Sequence, residues 1–287
     1  MPSVRRKQVQ DLRQRNRMLV LGPWFTPKWR PVEMQPAERE KRMKSAFKSL
    51  QKKNPNVFSV AIRRMGRIER RSTREKRNVL LPFGETEFSE WYDFRHSKTH
   101  ARRVAGKHPG RFSASPYNLG ANAIIELVDS NGRPSHIVMI KRPKSVPEAP
   151  GYYDFAAGLV RKGQSPAEML KRKIAQETGI PAKSLSILGP DFKKSADGGA
   201  FAMHLNEKVA NYNVVFVVRA QATPKQFREM AKRAKKDVWA AERVAVIRRT
   251  PEAIREFLGR KRKVWMPEVL RLYARELYLQ GKAGRKP

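Results

Sequence analysis

The sequence predicts an α+β fold: a mixed β-sheet flanked by helices, preceded by a basic N-terminal extension and closed by a C-terminal helix. Three observations predict it. Apolar runs of strand length recur between turn residues from about residue 113 onward, as in ANAIIELVD (121–129), SHIVMIKRP (135–143), YYDFAAGLV (152–160) and NYNVVFVVRAQ (211–221). Between the third and fourth run lies a segment with helix start and stop signals, QSPAEMLKRKIAQETGI (164–180). The chain then finishes on WMPEVLRLYARELYL (265–279), which places Trp265, Val269, Leu272, Tyr273 and Leu277 on one side, a stripe that needs a surface to cover.

Taken in order, the first 35 residues mix Arg with Pro and Trp (GPWFTPKWRP) without a sustained period, the texture of an extended arm. Residues 36–53, PAEREKRMKSAFKSLQKK, read as a helix with few apolar anchors. The stretch 62–77, IRRMGRIERRSTREKR, sets eight basic residues among two Glu. Arg63, Arg64, Arg67, Arg70, Arg71 and Arg74 there are phosphate-binding candidates, against the plainer reading of a solvated charged face. FSEWYDFRHSKTH (88–100) offers aromatics that would dock this arm on the core. Its Asp93, His96 and His100 have helical spacing but no further ligand in sight, so no metal site is expected. The expected organisation is an extension over 1–112, a core domain over 113–258, and a basic C-terminal helix and tail over 259–287.

Within the core, Ser165, Pro166 and Glu168 form a capping signature and Gly179 supplies a left-handed stop. Ala167, Met169, Leu170 and Ile174 make the apolar stripe, so Lys173, Gln176 and Glu177 share another face. Lys173 with Glu177, and Glu168 with Arg172, stand at ion-pairing distance along the helix. After the strand at 211–221, a second basic helix is expected over 224–236, with Arg228, Lys232, Lys235 and Lys236 along one face. ERVAVIR (242–248) reads as a short strand and PEAIREFL (251–258) as a helix.

Composition narrows the function. The 287 residues carry 62 Lys and Arg against 26 Asp and Glu, a net charge of +36, and 40% hydrophobic residues suffice for a core. Self-repulsion of that size favours a polyanionic partner, and nucleic acid is the leading one because neutralising phosphates releases counterions. With Lys141, Arg142, Lys144 and GRKRK (259–263), the basic helices suggest contacts that position RNA without reading its bases. Trp239 and Trp265 lie near these charge runs, where core packing is the first reading and base stacking the second. The absence of cysteine excludes disulfides, thiol nucleophiles and Cys-based zinc sites. No apolar run approaches a membrane span, and no secretory core is evident behind the basic start, so a cytoplasmic or mitochondrial matrix location is expected.

The segment GLVRKGQSPAEMLKRKIAQETGI (158–180) resembles the Nudix box, G-x5-E-x7-R-E-U-x-E-E-x-G-U with U aliphatic. Gly158, Arg172, Ile174, Glu177, Gly179 and Ile180 fit in register, whereas Gln164, Lys173 and Gln176 stand where the pattern has carboxylates. The resemblance implies a Nudix-like fold over roughly 113–280. It also implies that working relatives hold Mg or Mn on the box carboxylates to cut a diphosphate bond, hard cations that take oxygen ligands. Here the box is degenerate: Glu177 alone remains, no cofactor is expected, and no catalytic residue is assigned. A hydrolase acting on nucleoside diphosphate derivatives or capped RNA is the alternative. It would need Mg or Mn ligands beyond the box, for which Glu242, Glu148 and Asp154 are the weak candidates beside Glu177. Worn box, basic arms and final helix together are similar to the Nudix-like proteins of the mitochondrial large ribosomal subunit. That likeness implies a ribonucleoprotein component or assembly factor, with ribosomal RNA and neighbouring proteins as partners.

Overall fold

The computed structural model describes residues 118–144, 150–194, 199–206, 211–234, 243–260 and 263–283, Lys48 and Lys52 as helical, and the strand backbones within 26–87. Four strands precede the core: β1 (Thr26–Pro31), β2 (Ala61–Met65), β3 (Glu69–Ser72) and β4 (Arg77–Glu87). Strand β4 pairs with β1 in parallel and with β2 and β3 antiparallel, elements for which the sequence reading named no strand, while Lys48 and Lys52 are helical within the helix expected over 36–53. Pairing across a sheet satisfies backbone groups whatever the side chains are, so the charged Ala61–Met65 and Glu69–Ser72 can be strand without an apolar alternation.

The core opens with β5 (Asn118–Val128) and β6 (Pro134–Lys141), joined by a turn in which Asp129 Oδ1 accepts from the amides of Asn131 and Arg133. Next come β7 (Tyr153–Asp154) and β8 (Ala156–Leu159), helix α1 (Pro166–Thr178), β9 (Leu185–Ile187) and β10 (Ala202–Asn206). The chain continues through β11 (Asn211–Ala220), α2 (Pro224–Arg233), β12 (Arg243–Arg248), α3 (Pro251–Gly259) and α4 (Pro267–Ala283). The single strand expected over 152–160 is two. Phe155 turns into the core between them, so β7 pairs with β6 and β8 with β5. Strands β9 and β10 were not expected; both are short and pair along β11.

Strand β5 is central. Along one edge it runs parallel to β11 from Asn118 to Leu127; along the other it meets β8 at Gly120–Ala123 and β6 at Ile125–Val128. At its first residue it joins the N-terminal strands, through Arg64 opposite Asn118. Alternation gives β5 two buried faces. Leu119, Ala121, Ala123, Ile125 and Leu127 face a cluster that includes Met169, Leu170 and Ile174 of α1 and Phe227 and Ala231 of α2. Ile124 faces a second cluster with Ile254 and Phe257 of α3 and Val269, Leu270, Tyr273 and Leu277 of α4. The result is a mixed sheet between two helical layers, and the amphipathic last helix covers the second face of the same sheet that carries α1 on its first.

Candidate functional site

Helix α1 begins with the capping box: Ser165 Oγ accepts from the Glu168 amide, and Glu168 Oε2 accepts from the Ser165 amide at 3.0 Å. Glu168 is thereby committed to the cap, so the expected pair with Arg172 gives way; Arg172 Nη2 instead approaches Gln164 Oε1 at 3.5 Å. Met169, Leu170 and Ile174 are fully buried, each worth about 1.5–3 kcal/mol. Gly179 ends the helix at φ 75°, its amide donating to Ala175 O.

The face left over carries Lys173, Gln176 and Glu177, with Gln176 exposed and the other two half-buried. Gly158 lies in β8 directly beneath. A Cβ built there would stand 3.1 Å from Lys173 Cγ and 2.7 Å from Met169 Sδ, so the aliphatic stem of Lys173 crosses the strand at the glycine. Glu177 is the acidic member of a set otherwise neutral or cationic, and among the described residues no group of three or more His, Asp or Glu side chains could hold a metal. Asp154 is not placed for ligation: it is buried, its Oδ2 receives Arg142 Nη1 at 2.9 Å and its Oδ1 the Phe155 amide at 2.7 Å. Burial pushes its carboxyl above the ordinary value, with Arg142 opposing. Glu148, Glu242, Asp93, His96 and His100 lie outside the described residues.

A cationic patch forms beside this face. Helix α2 starts with a second capping box, Thr223 with Gln226, and ends at Arg233, short of the expected 236. Phe227 and Ala231 pin it to the first core, leaving Arg228 and Lys232 exposed. Strands β6 and β12 are paired from His136 opposite Arg248 to Lys141 opposite Arg243, which sets Arg248 beside His136. Burial lowers the His136 imidazole below its ordinary value, and the charges of Arg228 and Arg248 lower it further. Sequence reading singled out Arg228 and not Arg248, which only strand pairing brings near. Lys235, Lys236, Arg67, Arg74 and Trp239 lie outside the described residues; Arg63 and Arg64 fall in β2, Arg70 and Arg71 in β3. Trp265 is half-buried against the second core, edge-on to Tyr152 at 6.2 Å, and so packs rather than standing open as a platform for bases.

Two buried polar groups on the second face had no sequence signal beyond their residue types. Glu126, fully buried, receives Arg219 Nη2 at 2.9 Å, Arg249 Nε at 2.7 Å and the Tyr273 hydroxyl at 2.5 Å. Phe192, at φ 56°, lies against both Arg249 and Tyr273, and its carbonyl accepts from Arg219. Further along, Asn122 donates to Asn213 at 3.0 Å beside Asn118 and His204. Here Asn118 Nδ2 and Oδ1, Asn213 Nδ2 and His204 Nδ1 are buried without a partner. These are neutral donors and acceptors, since burial lowers His204 to about 4.

Compared with known proteins, residues 118–258 match the family model described as NUDIX domain. No curated protein matches the sequence. Among solved structures the chain is similar to a mutT/nudix family protein from Listeria innocua, at 15% identity and a TM-score of 0.38, over 60% of this chain and 99% of that one. It is also similar to a C. elegans Ap4A hydrolase, at 14% identity and a TM-score of 0.35, over 57% and 98%. A MutT protein from Methanosarcina mazei Go1 aligns at 15% identity and a TM-score of 0.34, over 58% and 96%.

Proposed function

The chain belongs to the Nudix superfamily through residues 118–258, and from that membership we propose that it keeps the Nudix fold as a scaffold, without diphosphate cleavage, and binds RNA as a component or assembly factor of a ribonucleoprotein such as a ribosome. The observation that carries the reading is the box face itself, where Gln164, Lys173 and Gln176 replace three carboxylates and the stem of Lys173 lies across Gly158. A unit positive charge at 4 Å repels a divalent cation by about 8 kcal/mol at an effective dielectric near 20. At the same distance the one carboxylate of Glu177 only cancels that repulsion, which leaves no net attraction to offset the water a hard cation must shed. Everything the fold requires of the segment, from capping box to left-handed glycine, is retained.

RNA is favoured by the net charge of +36 and by the exposed Arg228 and Lys232 one turn apart on α2, with Arg248 exposed at the end of β12. Guanidiniums and ammoniums at a folded surface neutralise phosphates and hold a strand in register without sequence readout. The test has two arms on the full chain. Calorimetric titration with Mg and Mn is expected to give no binding tighter than millimolar, and ADP-ribose, dinucleoside polyphosphates and capped RNA are expected to remain uncut. Turnover that disappears on Glu177→Gln would overturn the scaffold reading. In the second arm, a structured RNA is expected to bind with an affinity that falls steeply as salt rises; salt-indifferent binding of a small nucleotide instead would overturn the RNA reading.

A further inference from the structure

Helices α3 and α4 pack against each other over the second core and leave a surface cleft of about 530 Å³ between them. Its floor is apolar, formed by Leu258, Ala274 and Tyr278, and its rim carries Arg255, Arg271 and Arg275. Tyr278 and the adjoining Leu279 are the large hydrophobic side chains exposed among the described residues, at 43% and 45%. Arg255 and Arg271 reach Glu252 and Glu268 one turn away at 3.8 and 3.7 Å, with both guanidiniums more than half exposed. Pairs of that kind contribute about 0–1 kcal/mol and yield readily to a better-placed acid.

We infer that this cleft docks a short amphipathic helix of another protein, its apolar stripe on Leu258, Ala274 and Tyr278 and its Asp or Glu side chains on the three arginines. Charge complementarity selects the occupant. The chain's own first 111 residues are strongly basic and a second copy carries the same +36, so neither suits an arginine rim. RNA would satisfy the arginines, but Leu258 and Ala274 offer it aliphatic carbon, and Lys282 Nζ stands 4.9 Å over the face of Tyr278 on which a base would compete to stack. A helix laid in a groove meets both requirements, with anchors at i, i+3, i+4 and i+7 below and acids at the sides.

The test uses the full chain and fluorescence anisotropy. One labelled probe is a helical peptide with Leu at i, i+3, i+4 and i+7 flanked by Glu; its control has the same composition shuffled to break the stripe. The striped peptide is expected to bind at least tenfold more tightly than the shuffled one, and Tyr278→Ser or the double change Arg271→Glu with Arg275→Glu is expected to abolish that preference. All three side chains are exposed, so the thermal midpoint serves as the check that folding is intact. A labelled uridine oligonucleotide is expected to change affinity less than twofold with Tyr278→Ser. Equal binding of the two peptides, or a preference that survives both variants, overturns the inference; a tenfold loss of oligonucleotide binding with Tyr278→Ser assigns the cleft to RNA and overturns it too. The peptide outcomes do not bear on the salt-dependent RNA binding expected through α2.

Discussion

Glu126 is held by two guanidiniums and a phenol from three separate segments, which makes it the charged group on which the second face most depends. Burial and the neighbouring carboxylate keep the Tyr273 hydroxyl well above its ordinary value, so it remains a proton donor. Glu126→Gln leaves two part-buried arginines without a counter-charge, and unfolding in urea is expected to show a loss of about 3–5 kcal/mol. A loss below about 1 kcal/mol would mean that solvent, not the carboxylate, satisfies those arginines. His204 sets a pH dependence of definite sign. Its folded value of about 4 lies below the unfolded 6.5, so the unfolded chain binds the extra proton in that window. Its contribution is full above pH 6.5 and is lost as pH falls toward 4, by about 3 kcal/mol in all. His204→Gln is expected to flatten the difference between denaturation curves at pH 7 and pH 4.5 relative to the parent; parallel losses in both proteins would refute this.

At the scale of elements, α1 is fixed at both ends by local chemistry and in between by packing. Its C-terminal glycine does two jobs. Gly179 adopts φ 75°, and a Cβ there would lie 2.9 Å from the Met230 carbonyl oxygen of α2, so the same residue stops one helix and lets the other approach. Gly163, at φ 73°, has the same backbone need with open space around it. Gly163→Ala is expected to cost about 1–2 kcal/mol for the left-handed backbone alone. Gly179→Ala is expected to cost at least about 2 kcal/mol more than that, since a carbonyl cannot move aside as a flexible side chain can. Thermal melts of the two variants provide the comparison, and equal shifts would show that the α1–α2 contact is loose.

For the molecule as a whole, the charge of +36 carries a self-repulsion that a polyanion would relieve, and the measurable consequence of the proposed RNA binding is a salt slope. Replacing Arg228, Lys232 and Arg248 together by Ala is expected to reduce the slope of log affinity against log salt for single-stranded RNA by about 2, near 0.7 for each phosphate no longer neutralised. An unchanged slope would place the RNA-binding surface elsewhere on the chain. The second helical layer belongs to the same unit. Val269, Tyr273 and Leu277 of α4 share a cluster with Ile124 of β5 and Ile137 of β6, so the last helix completes the sheet's far face.

The sequence by itself determined the pattern of local signals: the capping box at Ser165 and Glu168, the stop at Gly179, the buried strands at 121–129 and 211–221, and the replacement of box carboxylates by Gln164, Lys173 and Gln176. Each follows from residue type and spacing within one segment, which is why each could be read there. Tertiary structure alone decided which distant segments meet. It split 152–160 at Phe155, made strands of the charged Ala61–Met65 and Glu69–Ser72, set Arg248 opposite His136, and seated Glu126 among Arg219, Arg249 and Tyr273. Pairing across a sheet and burial of a charge depend on partners up to 147 residues away, and no local period records them.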